Sequence, residues 1–270
     1  MTAVSRGWSG RLLLLMTWAV VLLIFLPPTY LLLISLNPGL LPSLPALSNV
    51  SLKWYVELLS ETRMLDALRA SVIIALLTAV ATTAIALLAA LAHRRMAMRW
   101  QGPFFALVVF SIFVPGVIQG LALSVIFRVL GITYSHLTVV AGHLLWSLPF
   151  AFIVLLTSLS VLRHSLAEAA HDLGAGEWQV FRDITFPIIR PGVASAALFA
   201  FLLSFNEFIR AFFLVGGQDT LPIYMFGVMN AGTSPTIYAL AGSILLISFI
   251  GFALALYGLG LVRARRQLRV

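Results

Sequence analysis

Glu207 and Arg210 are opposite charges three residues apart in an otherwise apolar run. On a helix that spacing places both on one face, where pairing lowers the cost of holding either inside a bilayer. Ser204 and Asn206 lie beside them, and His143 and Gln119 are further polar groups in apolar surroundings. The chemistry such a set supports is recognition, through hydrogen bonds and compensated charge along a path for a polar solute. A second reading stays open for each. Glu207 and Arg210 also suit a structural ion pair at the outer end of a span, and His143 and Gln119 also suit packed groups bonded to neighbouring carbonyls.

Covalent chemistry finds no support. A phosphate-cradling GxxxxGK[ST] loop needs a Lys, and Lys53, the one Lys, lacks that context. The absence of Cys excludes disulfides, thiolate metal sites and a Cys nucleophile. His93, His136, His143, His164 and His171 are scattered, and His164 with His171 lack a third ligand nearby. We therefore expect no catalytic residues, no bound cofactor and no metal.

The densest charge lies in Arg163 to Gly192, with Arg163, Glu168, Asp172, Glu177, Arg182, Asp183 and Arg190 between two long apolar blocks. Each charge would cost about 2.5 to 3.5 kcal/mol inside hydrocarbon, so this interval projects from the membrane. Glu168 to Asp172 reads as a short helix, since Leu166, Ala169, Ala170 and Leu173 can share a face. Gly174 and Gly176 end it, Trp178, Val180 and Phe181 add a second apolar patch, and Pro187 and Pro191 punctuate the return to the membrane. The product is a helix-turn-helix with an apolar ridge suited to a groove on another protein, with Trp178 and Phe181 as anchors.

The run Glu168, Ala169, Ala170, then Gly174, Ile184 and Pro187, resembles the EAA signature of permease subunits of type I ABC importers. From Ser204 to Leu246, and over His143 to Phe150, the chain is similar to the spermidine/putrescine permease branch of that family. The resemblance implies an all-α polytopic bundle and a coupling loop, 163–192, formed by Glu168, Ala169, Ala170, Asp172, Gly174, Trp178, Phe181 and Pro187. It also implies two cytoplasmic ATPase subunits, a second permease that is a different chain, and an external solute-binding protein. Asn206 and Arg210 depart from that branch, which carries acidic residues near Asn206 and Glu207.

Composition demands a membrane protein: 270 residues, 61% hydrophobic and 10% charged. Six spans are expected near Leu12–Ser35, Met64–Ala92, Phe104–Phe127, His136–Val161, Val193–Val215 and Tyr238–Val262. Pro115, Gly116 and Gly120 predict a kink or unwound turn in the third, while Pro149 lies in the fourth. A short interfacial helix follows Ser51, and Gly216 to Thr236 reads as a polar loop ending in Ser234 and Pro235 as N-cap and first helical residue. Arg6 and Arg11 precede the first apolar run without a convincing cleavage site, so that run is read as a retained span. The net charge of +8 gathers at span ends, not on a nucleic-acid-binding face, and the Arg94, Arg95 and Arg99 block marks a cytoplasmic end. With both termini inside, about twelve Arg and Lys fall on the cytoplasmic side and about five elsewhere.

The expectation is a single transmembrane domain, 1–270, in a bacterial inner membrane: a permease subunit moving a small polar, nitrogen-containing solute of polyamine type by alternating access. Lipid surrounds it and nucleic acid is no partner. The local charge near Arg210 is close to zero, which admits a zwitterionic or anionic solute as the alternative, such as an amino acid derivative, opine or aminophosphonate. A secondary transporter or channel would need internal repeats or ion relays, and a lipid-modifying enzyme a cluster of catalytic groups; neither pattern is visible. Candidate pathway residues are Ser204, Asn206, Glu207, Arg210 and His143.

Overall fold

Every regular element among the described residues is helical. The structure, a computed structural model, describes residues 8–232, 234–247 and 249–250. In chain order the helices are α1 (Trp8–Ile34), α2 (Lys53–Ser60), α3 (Thr62–Arg95), α4 (Met98–Val109), α5 (Gly116–Val129), α6 (His136–Ser160), α7 (His164–Asp172), α8 (Glu177–Val180), α9 (Phe186–Phe205), α10 (Ile209–Leu214) and α11 (Leu221–Ala231). A twelfth, α12, covers Pro235–Ile247. Among the described residues, four helical runs are long and apolar enough to cross a membrane, and a bent pair makes a fifth. The sixth expected span is described only through α12 and its immediate continuation; its remainder and the Arg263 to Arg269 tail lie outside the described residues.

The chain divides into two compact units, residues 63–226 and, separately, residues 1–62 with 227–270. In the second of these, the Ser35 and Tyr55 hydroxyls share a 2.6 Å hydrogen bond, and the Trp54 indole N–H donates to the Asn37 carbonyl at 2.7 Å. Ser51 acts one position before the N-cap Leu52, its hydroxyl accepting the Lys53 N–H at 3.2 Å. Leu12 to Leu15, Leu22 and Leu23 stand exposed on α1, as a helix apolar on every side does when its solvent is lipid.

The larger unit is organised by α3, α6 and α9. Thr82 bonds Ser147 and Arg94 bonds the Leu159 carbonyl, both at a separation of 65 residues, so α3 and α6 run parallel in fixed register. His143 bonds Ser204 while Gly192 lies against Ser158, so α9 runs antiparallel to α6. Ala86 and Ala90 of α3, Ala151, Phe152 and Leu155 of α6, and Ile189 and Ala196 of α9 form one buried cluster. Small side chains let these backbones approach, the usual source of helix association where lipid offers no hydrophobic drive. At Gly192 an added Cβ would lie 2.1 Å from Ser158 Oγ.

Three features differ from the sequence expectation. The polar loop 216–236 contains α11, because Leu221, Ile223, Tyr224, Met225 and Phe226 make its middle an apolar helix-forming stretch that flanking Gly and Pro disguise. Pro187 and Pro191 do not break the chain's return to the membrane. They sit in α9, preceded by a π-turn over Phe181–Thr185 whose wider winding accommodates the missing N–H of Pro187. The fifth span is instead interrupted later, at Asn206 to Phe208, between α9 and α10. The expected break in the third span is present: α4 with its terminal 3₁₀ turn meets α5 at 98° across Val114 and Pro115.

Candidate functional site

Two sets of polar residues stand out, one in the loop after α6 and one inside the bundle. In the loop, α7 ends in a Schellman arrangement. The Gly174 N–H donates to the His171 carbonyl at 2.8 Å and the Ala175 N–H to the Ala170 carbonyl at 2.9 Å. That geometry needs a left-handed residue, and Gly174 supplies it with φ of +86°. Gly176, the second expected helix breaker, has an ordinary φ of −74° and precedes α8.

Glu168 and Ala169 lie exposed on α7 and Ala170 is half-buried. Asp172 is exposed at its end, and Leu173 beyond it is 89% exposed. Trp178 stacks on Phe181 with ring centroids 5.6 Å apart, yet remains 67% exposed. Pro187 is exposed in the first turn of α9. The surface thus presents Leu173 and Trp178 on a frame held by Val180 and Thr185, which are buried.

The loop is tied to the end of α3 by groups whose distance along the chain hides their pairing. Arg95 forms an ion pair with Glu177, and Glu177 also faces His171 Nε2 at 3.7 Å. His171 Nδ1–H donates to the Ala175 carbonyl at 2.9 Å, closing the turn from inside. Arg94 donates to the carbonyl of Leu159, in the last turn of α6, at 3.1 Å and to that of Leu162, just past its end, at 3.0 Å. A cavity of about 460 Å³ lies among these groups, lined by Arg94, Arg95, Glu168, His171 and Glu177. The arginines read as topology markers therefore also splice three helix ends together.

Inside the bundle the structure brings together four of the five candidate pathway residues. Arg210 Nη1 lies 3.0 Å from Glu207 Oε1, with side-chain exposures of only 4% and 10%. The same carboxylate oxygen accepts the Arg210 backbone N–H at 3.0 Å. Arg210 Nε donates to Gln119 Oε1 at 2.8 Å, and the guanidinium lies over the Trp146 ring, 4.5 Å from its centroid. His143, fully buried, shares a 2.7 Å hydrogen bond with the Ser204 hydroxyl. Asn206 stands apart, exposed, its amide N–H donating to the Leu202 carbonyl at 2.9 Å.

The pairing of Glu207 with Arg210 was legible, although Glu207 sits in the break before α10 and not on a helix with Arg210. The roles of Trp146, Gly116 and Gly142 were not. A Cβ at Gly116 would come within 3.0 Å of Arg210 Nη1, and one at Gly142 within 2.4 Å of Leu214 Cδ1. The only trace in sequence is the recurrence of small residues at Gly116 and Gly120.

Residues 82–259 match the family model described as binding-protein-dependent transport system inner membrane component. The chain is 30% identical over 200 residues to the spermidine/putrescine transport system permease protein PotC of Escherichia coli (strain K12), covering 73% of this chain and 75% of that one. It is 34% identical over 211 residues to the putrescine transport system permease protein PotI of the same strain, covering 75% of each. In fold it is similar to a bacterial ABC transporter involved in the import of the acidic polysaccharide alginate, with TM-score 0.68, 16% identity, and coverage of 94% of this chain and 97% of that one. The family match covers more than half of the chain, and the helical fold agrees with it. The chain therefore belongs to the inner membrane components of binding-protein-dependent transport systems, the permease subunits of ABC importers.

Proposed function

We propose that this permease carries a small polycation of the polyamine class inward, with residues 1–270 acting as one transmembrane unit. The observation that carries the reading is the identity of 30% and 34%, over about three quarters of the chain, to permeases named for spermidine/putrescine and putrescine transport. Arg210 had argued against a cationic solute. Its burial against Glu207, Gln119 and Trp146 supports a compensated charge that does not face the solute.

In this reading two ATPase subunits assemble on the cytoplasmic side, where both termini also lie, and the loop 163–192 docks into one of them. Leu173, Trp178 and Phe181 provide the apolar contact, Gly174 the turn, and Glu168 and Asp172 the polar rim, while Ala169, Ala170 and Pro187 set the loop's shape. A second, different permease chain completes the path, and an external binding protein delivers the solute. ATP-driven closure of the ATPase pair moves the loop, its tie to α3 through Arg95 carries that movement to α3, and Arg94 passes it from α3 to α6.

The test is calorimetric binding of polyamines, amino acids, opines and aminophosphonates to the cognate binding protein, followed by ATPase assay of the reconstituted complex. Tight polyamine binding with stimulated ATPase is expected. Preference for a zwitterion or an anion, the reading Arg210 first suggested, removes the polyamine assignment and leaves the permease assignment standing.

A further inference from the structure

Two spans of the larger unit are interrupted, one at Val114 and Pro115, the other at Asn206 to Phe208. An interruption has no backbone ladder to hold its angle, so side chains must do it. Gln119 reaches back across the 98° bend, its amide N–H donating to the Ser111 carbonyl at 2.6 Å. Ser111 in turn donates its hydroxyl to the Leu145 carbonyl of α6 at 2.8 Å. The other end of the Gln119 amide accepts Arg210 Nε, and Glu207 holds Arg210 through both backbone and side chain.

We propose that Arg210 is a positioning residue: with Glu207 and Gln119 it forms an internal latch that fixes both interrupted spans against α6, and it takes no part in selecting the solute. Most of what a solute would recognise there is already engaged. One Glu207 oxygen serves two Arg210 donors, the Gln119 amide is engaged at both ends, and the guanidinium face rests on Trp146. Gly116 leaves room for the guanidinium, and Gly120 does the same for Phe213 of α10. This inference rests on the permease assignment and is independent of which solute is carried.

The test compares Arg210→Met, Glu207→Gln with Arg210→Met, and Gln119→Leu with Arg210→Met in the assembled, reconstituted transporter, reading thermal midpoint and the uptake of putrescine and spermidine. Arg210→Met strands a buried carboxylate and is expected to lower the midpoint by about 5 °C and uptake by roughly ten-fold. Removing the Glu207 charge as well restores at least half of both losses, and adding Gln119→Leu costs only its bond to the Ser111 carbonyl, because its bond to Arg210 is already gone. The putrescine-to-spermidine uptake ratio stays within about two-fold of the parent throughout. No recovery in the double variant, or a ratio changed by roughly ten-fold, overturns the latch. Where Arg210→Met does not reach the membrane, Arg210→Lys replaces it, and Glu207→Gln must then deepen the defect by stranding the cation. Failure of the parent to take up either polyamine counts against the polyamine reading alone, since the midpoints still decide the latch.

Discussion

At Gly174 the backbone adopts a conformation that an L-amino acid with a β-branch enters at a cost of about 1 to 2 kcal/mol. Nothing lies within 4 Å of an added Cβ there, so the penalty is conformational and local. Gly174→Val is therefore expected to insert at normal levels and to lose transport with its ATPase partners present; normal uptake by that variant would remove Gly174 from the coupling role. Gly192 is the opposite case, a glycine required by space and not by backbone angle. Gly192→Ala drives its methyl into Ser158, and the expected result is a lowered melting temperature that Ser158→Gly largely reverses. A double variant as unstable as Gly192→Ala alone would show that the contact is not what limits stability.

Helix ends decide how the elements are joined. The charge of Arg94 suits the negative end of α6, and its two donors meet the Leu159 carbonyl in the last turn and the Leu162 carbonyl just past it. Arg94→Ala is expected to cost about 2 kcal/mol, seen as a lower unfolding midpoint in detergent, with Arg94→Lys recovering part of it. The Arg95 to Glu177 pair is exposed, so its stability contribution is small, about 0 to 1 kcal/mol. Its value is orientation of the loop. Arg95→Ala should leave the midpoint unchanged while reducing solute-stimulated ATPase activity, and a midpoint that falls with activity intact would reverse the assignment. Trp178→Ala removes an exposed apolar group, and weaker capture of the ATPase at unchanged permease stability is the outcome expected.

For the whole molecule the open question of sidedness has a direct measurement, because the chain contains no Cys. Gly176 and Gly217 are exposed with open space around an added Cβ, so each tolerates a single Cys. In spheroplasts a membrane-impermeant maleimide is expected to label Gly217→Cys directly and Gly176→Cys only after permeabilisation. Labelling in the reverse order inverts the topology and places the 163–192 loop away from any cytoplasmic ATPase.

The sequence by itself determined the class of molecule. Apolar runs of spanning length, arginines at their ends and one charged interval leave few alternatives, since hydrocarbon excludes unpaired charge and unsatisfied backbone whatever the fold. The break at Pro115 and the turn at Gly174 were also legible, because Pro and Gly act through local backbone geometry. The partners of Arg94, Arg95 and Arg210 were not, nor was α11 between its flanking Gly and Pro residues. Arg94 meets Leu159 across 65 positions and Arg210 meets Gln119 across 91. Only the packing of α3 with α6 and of α5 with α10 brings such groups together. A charge's spacing along the chain shows that it needs a partner, and tertiary structure decides which partner it finds.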